Sequence, residues 1–286
     1  MMKIVPFRIP KNTEEAFRVQ VDDLPHLYNH LHQHPEIQLT LIKESNGTLI
    51  AGDYVGHFHS GDVFVIGGSQ PHVFRNEEKF FKKGSRAIAI TIFFDEATLG
   101  ENFWNLEEMK SLQQFLKNSS GGFRFTGKKK KLLAEKISSI VNADGIDRLI
   151  IFLEILKELG SRKEMQPLSK PIIQRNIKSY DGSRLNNVIE FTFKEYQRTI
   201  TLKEVSALAN LTPEAFCKYF KTRTRKTYIN FLNEIRINHA CRLLTEDRTI
   251  SDICYDCGFT NLSNFNRIFK KLKKVSPGEW RKINAN

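Results

Sequence analysis

Up to about residue 95 the apolar positions fall in short runs with strand character. "EIQLTLIKESNGTLIAGD" alternates and is rich in β-branched residues, with Asn46-Gly47 as a turn between its halves. "GDVFVIGG" and "RAIAITIFF" add two more runs, the first set off by glycines. Many short strands with turn punctuation predict a sandwich or small barrel. From about residue 96 to 165 the period changes to that of a helix. In "IDRLIIFLEILKELGSR", Leu149, Phe152, Leu153, Leu156 and Leu159 share a stripe that Gly160 ends. So wide an apolar stripe needs a partner, either the barrel or a second chain. "KEMQPLSKPIIQRNIKSYDGS" then loses all periodicity around two prolines and a glycine, as a linker does. Everything beyond it reads as helix.

That last stretch repeats itself. "TLKEVSALANLTPEAFCKYFK" matches "TISDICYDCGFTNLSNFNRIFK": Leu202 with Ile250, Val205 with Ile253, Leu211 with Phe259 and Thr212 with Thr260 stand 48 residues apart. Phe216 with Phe265 and Phe220 with Phe269 follow at 49, so the second copy holds one extra residue. Each copy predicts a short helix, a tight turn and a second short helix, the helix-turn-helix arrangement. Thr212 is placed to cap the first copy's second helix, with Pro213 and Glu214 in its first turn; Gly258 supplies the second copy's turn, and Thr260 or Asn261 its cap.

In the second copy Phe265, Ile268 and Phe269 form one greasy edge, which pins the helix to its neighbour. The opposite edge exposes Leu262, Ser263, Asn266 and Arg267, types that contact a thymine methyl, adenine and guanine in a major groove. The matching positions of the first copy are Glu214, Ala215, Cys217 and Lys218. Lys221, Thr260, Lys270, Lys271, Lys273 and Lys274 flank these edges, where phosphates would lie. "TYINFLNEIRINHACRLLTED" between the copies predicts a helix of about 20 residues, hence about 30 Å, close to the separation of successive major grooves.

Charge favours the same partner. The chain is +12, and residues 181–286 hold 19 Lys and Arg against 11 Asp and Glu, a net +8. A basic C-terminal third points to a polyanion. All four cysteines, Cys217, Cys241, Cys254 and Cys257, lie in that region. Cys254 and Cys257 have C-x-x-C spacing without a second pair, and read as small buried residues beside Ile253 and Phe259. No run of 18 apolar residues occurs, and "MMKIVPFRIP" has no signal core. A soluble, cytoplasmic protein without a membrane partner is expected.

The C-terminal hundred residues resemble the DNA-binding domain of the AraC/XylS family of bacterial transcription regulators. Its signature is matched at Arg236, Ala240, Leu243, Leu244, Ile250, Ile253, Gly258, Phe259, Phe265, Arg267, Phe269, Lys270, Ser276, Pro277 and Arg281. Arg225 and Lys274 depart from it, because the position after each recognition helix is usually glycine there; Trp280 stands where Tyr is common. A left-handed cap at either basic residue would be strained. Seven of the eight histidines precede residue 73. In "HLHQHPEIQ" His30, His32, His34 and Glu36 recur at period 2, which places them on one face of one strand. With His72 of "GDVFVIGGSQPHVFRN" they resemble the two halves of the cupin signature, His30, His32 and Glu36 matching H-x-H-x-x-x-E. The resemblance implies an effector pocket in a jelly-roll barrel. His30, His32, Glu36 and His72 are also a donor set for iron, manganese, nickel or zinc. No cofactor is expected. His57 and His59 read as hairpin surface.

The chain is thus expected to be α+β, with an N-terminal jelly-roll or cupin barrel at 1–97 and a dimerising helical region at 98–165. A linker at 166–182 leads to an all-α double helix-turn-helix at 183–286. Its expected partners are double-stranded DNA, a small effector, a second copy of the chain and, through the family, RNA polymerase; it is expected not to be an enzyme. Two rivals are a metal-dependent cupin enzyme built on the same histidines and an architectural DNA binder without an effector.

Overall fold

A computed structural model describes residues 15–95, 99–161, 163–170 and 179–284. The chain divides near residue 178 into two compact units.

Among the described residues the N-terminal unit holds nine strands: β1 (Arg18–Leu24), β2 (Ile37–Glu44), β3 (Gly47–Ala51), β4 (Tyr54–Phe58), β5 (Val63–Ile66), β6 (His72–Asn76), β7 (Ala87–Phe94), β8 (Phe123–Phe125) and β9 (Met165–Pro167). They form a six-stranded antiparallel sheet, β1-β7-β2-β5-β8-β9, and a three-stranded one, β4-β3-β6. Between the sheets lie Ile42, Leu49, Phe58, Phe64, Ile66, Phe74 and Ala89. The arrangement is a jelly-roll-like pair of facing sheets; ladder bonds do not close it into the expected barrel. Asn46-Gly47 is a corner that carries the chain from one sheet to the other, rather than a hairpin turn. Gly47 is required by closeness: a Cβ there would lie 2.1 Å from the carbonyl oxygen of Arg75 on β6.

The large sheet is covered on its other face by α1 (Glu101–Trp104), α2 (Lys110–Asn118), α3 (Gly127–Ser139) and α4 (Gly145–Gly160). This explains why β2, β5 and β7 read as almost continuous apolar runs: they are buried on both faces. Leu39, Leu41, Val65, Ile90 and Ile92 meet Phe115, Leu133, Ile137, Phe152, Ile155, Leu156 and Leu159. The α4 stripe thus packs inside its own unit. Phe152, Ile155, Leu156 and Leu159 are buried there, at about 1.5–3 kcal/mol each. That is too much docking energy to surrender to a second chain, so this stripe is not a dimer surface. β9 straddles the expected boundary between the helical region and the linker, and its Pro167 is tolerated because the strand is an edge. Residues 171–178 of that linker lie outside the described residues.

The elements of the C-terminal unit among the described residues are all helices: α5 (Ser179–Glu195), α6 (Leu202–Leu208), α7 (Pro213–Thr224), α8 (Tyr228–Leu243), α9 (Ile250–Asp256), α10 (Leu262–Lys273) and α11 (Pro277–Asn284). α5 starts at Ser179, before the expected boundary at 183. α8 has 16 residues, about 24 Å rather than 30, because the chain turns after Leu243. Ten of those residues are buried, so α8 is a shared core rather than a bare spacer. Around its start Phe216, Phe220, Tyr228 and Phe231 pack with ring centroids 5.4–5.7 Å apart. Around its end Ile237, Ala240, Cys241 and Leu244 pack with Ile253, Cys254, Cys257, Phe259, Phe265 and Phe269. Cys254 and Cys257 are fully buried in that core, and burial pushes the Cys257 thiol up to about 12. Both stay neutral and apolar, as the sequence suggests.

Candidate nucleic-acid interface and sensor site

The two repeats are built alike down to their caps. Thr201 and Thr249 accept from the backbone N–H groups of Glu204 and Asp252 at the starts of α6 and α9. Asn210 and Gly258 hold the turns, both with positive φ, +52° and +81°. Thr212 caps α7 through the N–H of Ala215 with Pro213 following, and Asn261, rather than Thr260, caps α10 through the N–H of Asn264. Arg225 and Lys274 then end α7 and α10 in the left-handed conformation. The likeness runs on through the next cap: Thr227 starts α8, and the Ser276 hydroxyl accepts from the N–H of Glu279 in α11.

The residues expected to meet bases are all exposed: Glu214, Ala215, Cys217 and Lys218 on α7, and Leu262, Ser263, Asn266 and Arg267 on α10. Arg267 is held by a residue the sequence did not single out, its guanidinium donating to Asn264 Oδ1 at 2.8 Å. Lys221, Thr260, Lys270, Lys271 and Lys274 are exposed as well. Lys273 stands apart, half-buried, with Nζ donating to Asn238 Oδ1 at 2.8 Å and lying over the Trp280 ring. Two signature arginines are structural. Arg236 donates to the carbonyls of Tyr196 and Arg198, and Arg281 to those of Leu244 and Arg248, fixing the loop before each helix-turn-helix.

In the N-terminal unit residues 30–36 form no regular strand, so the expected single face is absent. His32 makes an isolated bridge to His72 at the edge of β6, and Pro35 and Glu36 bend the chain into β2. The bend still brings His32, His34 and His72 together, with ring nitrogens within 4.8 Å of one another, all buried. His30 lies outside this trio and contributes its carbonyl to His32 Nδ1 at 2.9 Å. Glu36 sits behind the trio, its carboxylate 3.5 Å from His34 Nδ1. His57 is half-buried and His59 exposed, both away from it.

The trio rests on a polar ladder between the sheets. The Gln38 carboxamide lies 3.0 Å from both His34 Nε2 and His72 Nε2, and 2.8 Å from the Thr40 hydroxyl, which touches Thr91 at 3.1 Å. His72 Nδ1 faces the Gln70 carbonyl at 2.8 Å and so carries its proton there. A carbonyl oxygen of Gln38 against His72 Nε2 would demand a second proton, a buried imidazolium. With the amide turned by half a rotation, its NH2 donates to both imidazoles and its oxygen accepts from Thr40. Charge supports the neutral form. Burial lowers His32 to about 4, and burial, with His32 and His34 as neighbours, holds His72 well below the ordinary histidine range. His34 is lowered as well, mainly by burial.

Three neutral imidazoles suit a first-row metal ion. The Gln38 amide, however, already occupies the lone pairs of two of them, and the Glu36 carboxylate faces the far nitrogen of His34. The site fits a metal only with Gln38 displaced, and nothing in it is aimed as a base toward such a centre.

Residues 205–283 match the family model of a helix-turn-helix domain. The chain is 22% identical to the HTH-type transcriptional activator RhaS of Mannheimia succiniciproducens, over 87% of this chain and 88% of the relative. It is 33% identical to the HTH-type transcriptional activator RhaR of Escherichia coli over 92 residues, 30% of this chain and 33% of that protein. The crystal structure of ToxT from Vibrio cholerae covers 94% of this chain and 98% of its own at 13% identity and a TM-score of 0.37. Two capped helix-turn-helix units on one shared core, joined to a β-rich unit, define a DNA-binding transcription regulator. The chain is similar to regulators of the AraC/XylS family, whose signature its C-terminal hundred residues carry. Among the described residues no helix is long and apolar enough to cross a membrane.

Proposed function

We propose that α7 and α10 enter the major groove, with Leu262, Ser263, Asn266 and Arg267 as the principal base readers. Glu214, Ala215, Cys217 and Lys218 line the weaker reader, while Lys221, Thr260, Lys270, Lys271 and Lys274 engage phosphates. The observation that carries this reading is the likeness of the two units, cap for cap, with an exposed polar edge on each second helix. Lys273 is left out because it serves the core.

His32, His34 and His72 with Gln38 are the effector site of this proposal. With Gln38 displaced, the lone pairs of the neutral imidazoles favour a small polar molecule with hydrogen-bond donors. Such a ligand acts only through unequal affinity for two arrangements of the regulator on DNA. A homodimer working in the cytoplasm, with RNA polymerase as a further partner, completes the proposal. Its interface is placed on the outward side of α4, where Ile146 is 67% and Ile150 48% exposed. Catalysis is not part of it.

The test is selection from a random duplex pool by the full-length protein at about 150 mM salt, where non-specific phosphate binding is screened. Two half-elements about one helical turn apart are expected. No enrichment, with or without added small molecules, would overturn base-specific recognition and favour the architectural binder. Bound metal accompanied by turnover would favour the enzyme.

A further inference from the structure

The loop Gly67–Gln70, between β5 and β6, is wedged between the histidine segment and the last described residues of the N-terminal unit. On one side the N–H of Ser69 donates to the His34 carbonyl at 2.7 Å, and the Gln70 carbonyl receives His72 Nδ1–H at 2.8 Å. On the other, Gln70 Nε2 donates to the Gly121 carbonyl at 3.0 Å and to Ser169 Oγ at 3.2 Å. Gly121 and Gly122 in turn accept from the N–H groups of Ser169 and Leu168, both at 3.0 Å.

The wedge has no slack. A Cβ on Gly67 would lie 2.3 Å from the Ser119 carbonyl oxygen, and one on Gly68 would lie 2.4 Å from that of Pro35. The turn is closed by the Gln70 side chain itself, whose Oε1 accepts from the N–H of Gly67 at 3.0 Å. Ser69 is held at φ +59°, a conformation that costs a non-glycine residue energy and persists only where its surroundings impose it. Gln70 and His72 are fully buried, and Ser169 nearly so. Water therefore cannot replace these bonds cheaply if one of them breaks. From Ser169 the chain runs, one residue after another, toward the helix-turn-helix unit.

We infer that Gln70 is a positioning residue that couples the state of the His32–His34–His72 cluster to the segment Leu168–Ser169, at the root of the connection to the DNA-binding unit. The inference rests on the cluster being the effector site. A ligand that moves His72 must move the Gln70 carbonyl or break its bond. Because the side chain of Gln70 closes its own loop, that displacement carries to Gly121 and Ser169 as a body. The coupling calls for a second arrangement of the loop in which the strain at Ser69 is relieved, and that would be its bistable element.

The test is hydrogen exchange at the amides of Leu168 and Ser169 in the full chain. His72→Ala is expected to speed exchange there about tenfold, as is Gln70→Ala, and the double variant no further than Gln70→Ala alone. Unchanged exchange in His72→Ala, or effects that multiply in the double variant, would overturn the coupling. Should His72→Ala unfold the unit, the reverse direction decides. Ser169→Ala must shift the imidazole nitrogen resonances of His72, and Ser169→Thr, which restores the hydroxyl, must return them. Resonances that ignore Ser169 would overturn it equally. No ligand is needed, so a cluster that binds nothing would refute the sensor assignment while leaving a measured coupling intact.

Discussion

Arg225 and Lys274 stand 49 residues apart and end α7 and α10 in the same left-handed turn, at φ +58° and +67°. Each donates its backbone N–H to the carbonyl four residues earlier, Lys221 and Lys270, at 2.9 Å. A side chain in this conformation costs roughly 1 kcal/mol that glycine avoids. Arg225→Gly and Lys274→Gly are therefore each expected to leave the fold intact and raise resistance to urea by up to about 1 kcal/mol. A lower midpoint in either would show that the basic side chain does more for the cap than strain takes away.

Gly258 and Asn210 hold equivalent turns with unequal tolerance. A Cβ at Gly258 would lie 2.4 Å from the Tyr196 carbonyl oxygen. Gly258→Ala is expected to cost about 3 kcal/mol or more, in line with backbone strain combined with overpacking. Asn210→Gly should change stability by less than about 1 kcal/mol. The comparison is read from urea midpoints, and equal losses would contradict the geometry.

Arg267→Ala should weaken the selected duplex by about 1–3 kcal/mol and relax the choice at one base position. Binding titrations on a panel of single-base variants would show it. A uniform loss on every sequence would make Arg267 a phosphate contact instead. Asn264→Ala should give a milder form of the same relaxation, since it frees the guanidinium that Asn264 holds.

The histidine cluster predicts the sign of a pH effect. His32 is lowered to about 4 by burial, so its unfolded form, near 6.5, binds protons first. Stability is complete above about pH 6.5 and falls as pH drops toward 4, by about 3 kcal/mol at most from this residue. His72 and His34, lowered for the same reason, steepen the fall. His32→Gln should flatten the curve of unfolding free energy against pH; an unaltered slope would mean that His32 does not contribute to it.

Gln38→Glu should turn the cluster into a metal site. A carboxylate cannot donate to the two imidazole lone pairs that the amide engages, and a divalent cation satisfies all three groups. Calorimetry with zinc or nickel should show at least about a tenfold gain in affinity over the unaltered chain. No gain would mean that the amide is not what keeps the metal from binding.

The helical half was legible because its physics is local. Thr212 announces the start of α7 within a residue, and a second copy of the pattern doubles the information. The sheet half was legible in kind and not in pairing. Asn46-Gly47 has the chemistry of a hairpin, yet the partners of β3 are β4 and β6, and only long-range packing selects them. The α4 stripe was visible, but its partner depended on helices folding back over the sheet. At the histidine cluster the residues stood out by type. Gln38, Thr40 and Thr91 did not, because the contact of Thr40 with Thr91 spans 51 residues and appears only once β2 pairs with β7. Gln70 was hidden for the same reason, since its contact with Ser169 spans 99.

In the proposed binding mode, the burial of α8 would set how the protein measures DNA. Because both reading heads are bolted to the same buried axle, neither can swivel to reach a misplaced site. The distance between half-elements is thus a fixed gauge. Inserting one base pair between them must be absorbed by twisting or bending the duplex, at an energy set by the sequence of the spacer. Bases that no side chain touches would in this way help to choose the operator.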